Sequence, residues 1–250
     1  RPFITVSNFN GDINLNTPPA FDAARPDENV RSTTEYDANG NVVKTTDNAG
    51  RVNTNCYDAL NRVVKSIQNP TPTDPCPDYT PSGDADKDLI QKTVYDSVGN
   101  VIAVISDQSS VIRVTRTYYD ALNRPFVVIR NFVGDINSNT PPTFDANQPD
   151  KNIGTKTYYD AAGRAYRAED LTTGRSDWTC YDIQGRVTKS VTNATVGDPC
   201  GTGSHSGNPD QNLITEYRYD SNNRQIATIA PDGKITRTYY DATGRRTLVI

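Results

Sequence analysis

The sequence predicts an all-β chain of tandem antiparallel β-hairpins, and three observations predict it. The dipeptide Tyr-Asp occurs eight times, the third residue after each Asp is always Gly or Asn, and the intervening stretches are rich in Tyr, Val, Ile and Thr without helical periodicity or caps.

In chain order the first four units are Tyr36-Asp37 with Gly40, Tyr57-Asp58 with Asn61 and Arg62, Tyr95-Asp96 with Gly99, and Tyr119-Asp120 with Asn123 and Arg124. The next four are Tyr159-Asp160 with Gly163 and Arg164, Tyr181-Asp182 with Gly185 and Arg186, Tyr219-Asp220 with Asn223 and Arg224, and Tyr240-Asp241 with Gly244 and Arg245. Arg follows the Gly or Asn in six units, and Asn41 and Asn100 stand in its place in the other two. Asp at the first position of a type I turn accepts a hydrogen bond from the backbone two residues on, and Gly or Asn supplies the left-handed residue of a bulge. Together they specify a three-residue hairpin loop. Asp then lies across from the Arg, a weak exposed pair whose effect is on register. Each Tyr faces the residue after the Arg or Asn, for example Val42, Val63, Val101 or Val187, and is read as packing. Turn residues at 47–50, 107–110, 170–174 and 231–233 return the chain, so it meanders through strands of about six residues.

A longer period lies over this one. The run from Arg1 to Ala23 returns from Arg124 to Ala146, so four hairpins make one large repeat. The expected organisation is a single continuous array over 1–250, with copy one at 1–123, copy two at 124–244 and the start of a third at 245–250. Both ends read as cuts through a longer array.

Composition narrows the function classes. Only 34% of the 250 residues are apolar and there is one Trp, but the 14 Tyr and a net charge of −4 do not suit a solvated coil. Charge is spread without a basic stripe, so no nucleic-acid partner is expected. No apolar run is long enough for a membrane span. The equal spacing of Cys56 with Cys76 and Cys180 with Cys200 suggests two local disulfides and an oxidising compartment. The plainer alternative is four reduced thiols; zinc would have only His205 to complete a ligand set.

The unit Tyr-Asp-x-x-Gly-Arg, repeated along the whole chain, resembles the Rhs/YD-repeat family of bacterial toxins, toxin-complex shells and teneurins. In that family consecutive hairpins form a strip that spirals into a hollow shell, which in the toxins encloses a cytotoxic polypeptide. The resemblance implies a curved or spiralling antiparallel sheet. Two departures count. The family's self-cleaving Asp-Pro-x-Gly motif has one match, Asp198-Pro199-Cys200-Gly201, and its counterpart reads Asp74-Pro75-Cys76-Pro77, so the match is taken as coincidence. The regular four-hairpin repeat suits an open-ended structure better than a capsule, giving an expected spiralling β-solenoid or hollow tube-like sheet.

Four insertions, 8–29, 69–88, 131–152 and 193–212, are too long to be simple connections. Two carry paired prolines and Phe9 with Phe21, or Phe132 with Phe144; the other two carry the cysteines. The alternating carboxylates of Asp84-Ala85-Asp86-Lys87-Asp88 and the run at 12–16 open like a calcium loop but lack its Gly and Glu, and are read as turn residues. No nucleophile motif is present, so no catalytic residue, metal or cofactor is assigned. The expected function is a non-enzymatic segment of a secreted extracellular tube, filament or stalk, at the cell surface or outside it, whose partners are neighbouring copies of the repeat or chain. Two other readings stay open: a wall segment of a toxin-encapsulating shell around an enclosed polypeptide, and an adhesion module whose insertions bind surface glycan.

Overall fold

The structure is a computed structural model that describes residues 3–12, 17–108, 111–195, 197–201 and 210–250. The chain divides into two compact units, Arg1–Arg116 and Thr117–Ile250. The first holds β1 (Phe3–Ser7), β2 (Val30–Tyr36), β3 (Val42–Thr46), β4 (Val52–Tyr57), β5 (Val63–Gln68), β6 (Leu89–Tyr95), β7 (Val101–Gln108) and, as far as Arg116, β8 (Val111–Tyr119). The second holds the end of β8, then β9 (Pro125–Arg130), β10 (Ile153–Tyr159), β11 (Ala165–Asp170), β12 (Ser176–Tyr181), β13 (Val187–Ala194), β14 (Leu213–Tyr219), β15 (Gln225–Ile229), β16 (Ile235–Tyr240) and β17 (Arg246–Val249).

In the first unit each strand pairs antiparallel with its chain neighbour, from β1 with β2 through β7 with β8. In the second the same holds from β9 with β10 through β16 with β17. The register of β4 on β5 slips by one residue between Cys56 and Tyr57, and β6 on β7 slips at Tyr95. Each slip is the bulge that the left-handed turn residue creates.

The all-β meander carries one correction. The expected spiralling solenoid or tube-like sheet is not formed: among the described residues of each unit, strand contacts join only consecutive strands, and first and last strands do not meet. Regular hairpins give a regular strip, but rolling it needs one face that is dry throughout. Here β3 is half-buried on both faces and β17 exposed along its length. Nothing pulls the sheet round onto itself.

Core is local instead. In the first unit Cys56, Ile67 and Ile90 cluster under Tyr79 of an insertion. In the second, Trp178, Val191, Ala194 and Ile214 cluster with Tyr166 and Cys200, while Val127, Ile129 and Phe132 are buried near the third insertion. The second, third and fourth insertions thus supply part of the second layer that the sheet lacks.

Candidate functional site

The site built by the sequence is the row of Tyr-Asp turns and the loops opposite it. At Asp58 the backbone N–H donates to the Arg62 carbonyl at 3.0 Å, and the Asn61 N–H donates to the Asp58 carbonyl at 3.0 Å. The carboxylate closes the rest: Oδ1 accepts from the Leu60 and Arg62 N–H groups at 2.9 and 3.0 Å, and Oδ2 accepts from Arg62 Nε at 2.8 Å. Asp120, Asp160, Asp182, Asp220 and Asp241 pair with Arg124, Arg164, Arg186, Arg224 and Arg245 through Nε in the same way. At Asp37 and Asp96, the Asn41 and Asn100 amides donate instead, each at 2.9 Å. Asn61, Asn123 and Asn223 take φ of 58°, 57° and 64°, and Gly40, Gly99, Gly163, Gly185 and Gly244 lie between 81° and 97°. These bonds hold the carboxyls below the usual carboxylate range, through the Arg62 backbone and side chain at Asp58, and through Thr243 and Arg245 to about 2 at Asp241. A carboxylate so committed to its own turn has no proton to give near neutrality.

Tyr36, Tyr57, Tyr95 and Tyr181 lie across from Val42, Val63, Val101 and Val187. The sequence leaves each Tyr hydroxyl free to reach water or a neighbouring strand, and the structure gives the acceptor. The Tyr57 hydroxyl donates to the Val42 carbonyl of the preceding hairpin at 2.9 Å, and Tyr95 to Val63 at 3.0 Å. Tyr159, Tyr181, Tyr219 and Tyr240 donate likewise to Pro125, Ala165, Val187 and Gln225. The preceding turn's Arg lies over the same ring: Arg62 on Tyr95 at 4.3 Å, Arg124 on Tyr159 at 4.4 Å, Arg164 on Tyr181 at 4.4 Å, and Arg186 on Tyr219 and Arg224 on Tyr240 at 4.7 Å. Five hairpins are therefore stapled to the preceding one through both a cation–π contact and a hydrogen bond, and the Tyr57 hairpin, which follows the Asn41 turn, through the hydrogen bond alone. The available signal was that all eight positions are Tyr and none is Phe.

The opposite edge repeats part of this chemistry. Asp47 accepts from the Ala49 and Arg51 N–H groups and from Arg51 Nε at 2.8 Å, the same turn with Thr46 in place of Tyr. Asp170 accepts from the Thr172 and Thr173 N–H groups.

Each insertion closes on a pair of left-handed residues, Asn8 with Asn29, Asn69 with Asp88, Asn131 with Asn152 and Asn193 with Asn212, all with φ between 47° and 52°. The N–H of the second residue donates to the carbonyl of the first at 3.0 to 3.1 Å. The side chain of the second accepts an N–H just inside the loop, at Asn10, Thr71, Val133 and Thr195. Asn tolerates this backbone better than other residues with a Cβ, which explains its recurrence.

Two insertions are also held covalently. Cys56 bonds Cys76 and Cys180 bonds Cys200, with Cα atoms 5.6 and 5.4 Å apart. Across the hairpin from the buried cysteines stand Lys65 and Lys189. Lys65 is 5% exposed and its Nζ donates to the carbonyls of Pro75, Cys76 and Pro77 at 2.7, 3.3 and 2.9 Å; burial lowers its pKa. Lys189 reaches the Pro199 and Gly201 carbonyls at 3.2 and 3.3 Å.

Asp88 is buried, with Thr71, Tyr79 and Ser82 donating to it at 2.7 to 3.1 Å. Burial pushes this carboxyl up, but the hydrogen bonds outweigh it and hold it well below the usual range. Burial, with the contact to Asp88, raises the Tyr79 phenol. Asp84 accepts from the Asp86 N–H at 3.0 Å and lies 3.4 Å from Lys87. Among the described residues no group of three or more His, Cys, Asp or Glu side chains could hold a metal ion. Asp198 accepts from the Cys200 N–H at 2.9 Å, a local turn. His205 and residues 13–16, 109–110 and 208–209 lie outside the described residues. No helix of the described residues is long and apolar enough to cross a membrane.

No protein-family model matches the chain, and no curated protein is similar to it. Among solved structures, a chain of TcdB2-TccC3 without its hypervariable C-terminal region matches over 88% of this chain, with a TM-score of 0.57 and 16% identity. TcdB2-TccC3-TEV matches over 88% of this chain at 18% identity, with a TM-score of 0.45. The chain spans 10% of the length of the first of these. What is shown is a shared fold, that of the TcdB2-TccC3 chain. It agrees with the Rhs/YD-repeat resemblance carried by the Tyr-Asp motifs.

Proposed function

We propose that the chain is a non-enzymatic wall segment of a toxin-encapsulating shell of the Rhs type. The observation that carries this is the stapled meander: hairpin joined to hairpin by Tyr and Arg, in a fold shared with the TcdB2-TccC3 chain. The reading takes the place of the extracellular tube, filament or stalk expected from the four-hairpin repeat and the paired cysteines, because the shared fold favours the shell. Asp, Gly or Asn, and Arg of each unit set the turn and register; Tyr and Arg carry the coupling between units. In this reading the repeats form one continuous series over 1–250, with copies at 1–123 and 124–244 and the start of a third at 245–250, and the series is part of a longer wall. Its partners are neighbouring repeats of the same wall and a polypeptide enclosed by it, and its disulfides suit a secreted or cell-surface protein. Limited proteolysis of the parent chain tests this: a polypeptide segment outside the array should survive in native buffer and be cut once the wall is opened with denaturant. Equal cutting in both conditions would reject encapsulation.

A further inference from the structure

We propose that the insertion at 69–88 is a redox-released strap, fastened to the sheet by Cys56–Cys76 and by Lys65 as one coupled latch. Between its clasped ends at Asn69 and Asp88, the strap contributes no strand to the sheet. Besides an exposed ion pair between Lys92 of β6 and Asp78 at 3.2 Å, three fastenings hold it to the sheet face. The disulfide ties Cys76 to β4. Lys65 on β5 donates to the carbonyls of residues 75, 76 and 77, the three centred on that same cysteine. Tyr79 lies on the Cys56, Ile67 and Ile90 cluster, 5.0 Å from Lys65 Nζ, with its hydroxyl on Asp88.

The centring couples the first two. An ammonium stays buried only while its donors are satisfied, and here the acceptors come from the peptide units flanking Cys76. If Cys76 is let go, those carbonyls lose their anchor, and Lys65 gains more from water than from a mobile loop. The face uncovered is apolar with a cation at its centre. The pairing of β4, β5 and β6 runs between those strands, with no strand of the strap in the ladder. The second cysteine insertion repeats the arrangement with Lys189 beneath Cys200 and the Trp178 cluster below it.

The chemistry needs a dithiol reductant. Its thiolate attacks Sγ of Cys76, which is exposed while Cys56 is 7% exposed. The S–S bond breaks, Cys56 leaves as a thiolate and takes up a proton, and the reductant's second thiol displaces Cys76 as it closes its own disulfide. Two electrons pass from the dithiol to the protein.

The test compares the oxidised and the dithiothreitol-reduced chain by hydrogen exchange and by acetylation of lysines with an N-hydroxysuccinimide ester. On reduction, amides of 70–87 should exchange about a hundredfold faster while β4–β6 keep their protection, and Lys65 should change from unlabelled to labelled. A Cys76→Ser variant, made and purified under the same conditions, should match the reduced chain without reductant. Two outcomes overturn the proposal. Unchanged exchange and labelling on reduction would mean that Lys65 and Asp88 hold the strap unaided; simultaneous loss of protection in β4–β6 would mean that the disulfide supports the sheet and not a strap.

Discussion

At the scale of single residues, backbone conformation and buried charge decide which side chains are required. Asn61 sits at φ 58°, where a Cβ is disfavoured unless its side chain suits the region. Replacing it with Ala should cost ~1 kcal/mol, and replacing it with Gly very little, as read by urea denaturation. Asp88 makes a different prediction. Its folded carboxyl is held below the unfolded value, so its stabilising effect is present above about pH 4 and is lost as pH falls through that value and below. Denaturation midpoints at pH 6 and pH 3 should therefore differ less in Asp88→Ala than in the wild type; equal differences would remove Asp88 from the acid response. The Asp58 turn could be read from sequence because every partner lies within four residues. Lys65 could not, because its acceptors belong to a loop whose path no local pattern specifies, and an isolated lysine reads as solvated.

At the scale of elements, hairpins are joined by contacts that skip a turn. Tyr95 reaches back to Val63 while Arg62 reaches forward over its ring, so the two hairpins hold each other from both sides. Tyr95→Phe keeps the ring but leaves the Val63 carbonyl without that donor, with an expected cost of ~1 kcal/mol. Adding Arg62→Ala should give a non-additive loss with Tyr95→Leu but an additive one with a change at the other edge of the same unit's sheet such as Asn29→Ala, measured by double-mutant cycles. The strands and turns were legible from the Val, Thr and Tyr content and the Asp-x-x-Gly spacing. The staple was legible only as a hydroxyl able to reach water or a neighbouring strand, since which carbonyl it meets and which Arg covers the ring depend on contacts between hairpins and not within one. The insertions follow the same division: their limits coincide with Asn or Asp pairs visible in sequence, but the left-handed clasp at each base needs the backbone to be seen.

At the scale of the whole molecule, the local rules fix hairpin order but not curvature. Constant repeat spacing suggested a rolled sheet, and the strands of each unit remain an open meander because the buried residues gather under insertions instead of along one face. What a strip of this kind encloses is set by the longer wall that we propose it belongs to. The most direct measurement is electron cryo-microscopy of the parent chain. The account predicts a closed hollow particle in whose wall these 250 residues appear as consecutive stapled hairpins, with density for a polypeptide inside. An extended filament, or a particle with these residues outside the wall, would contradict it.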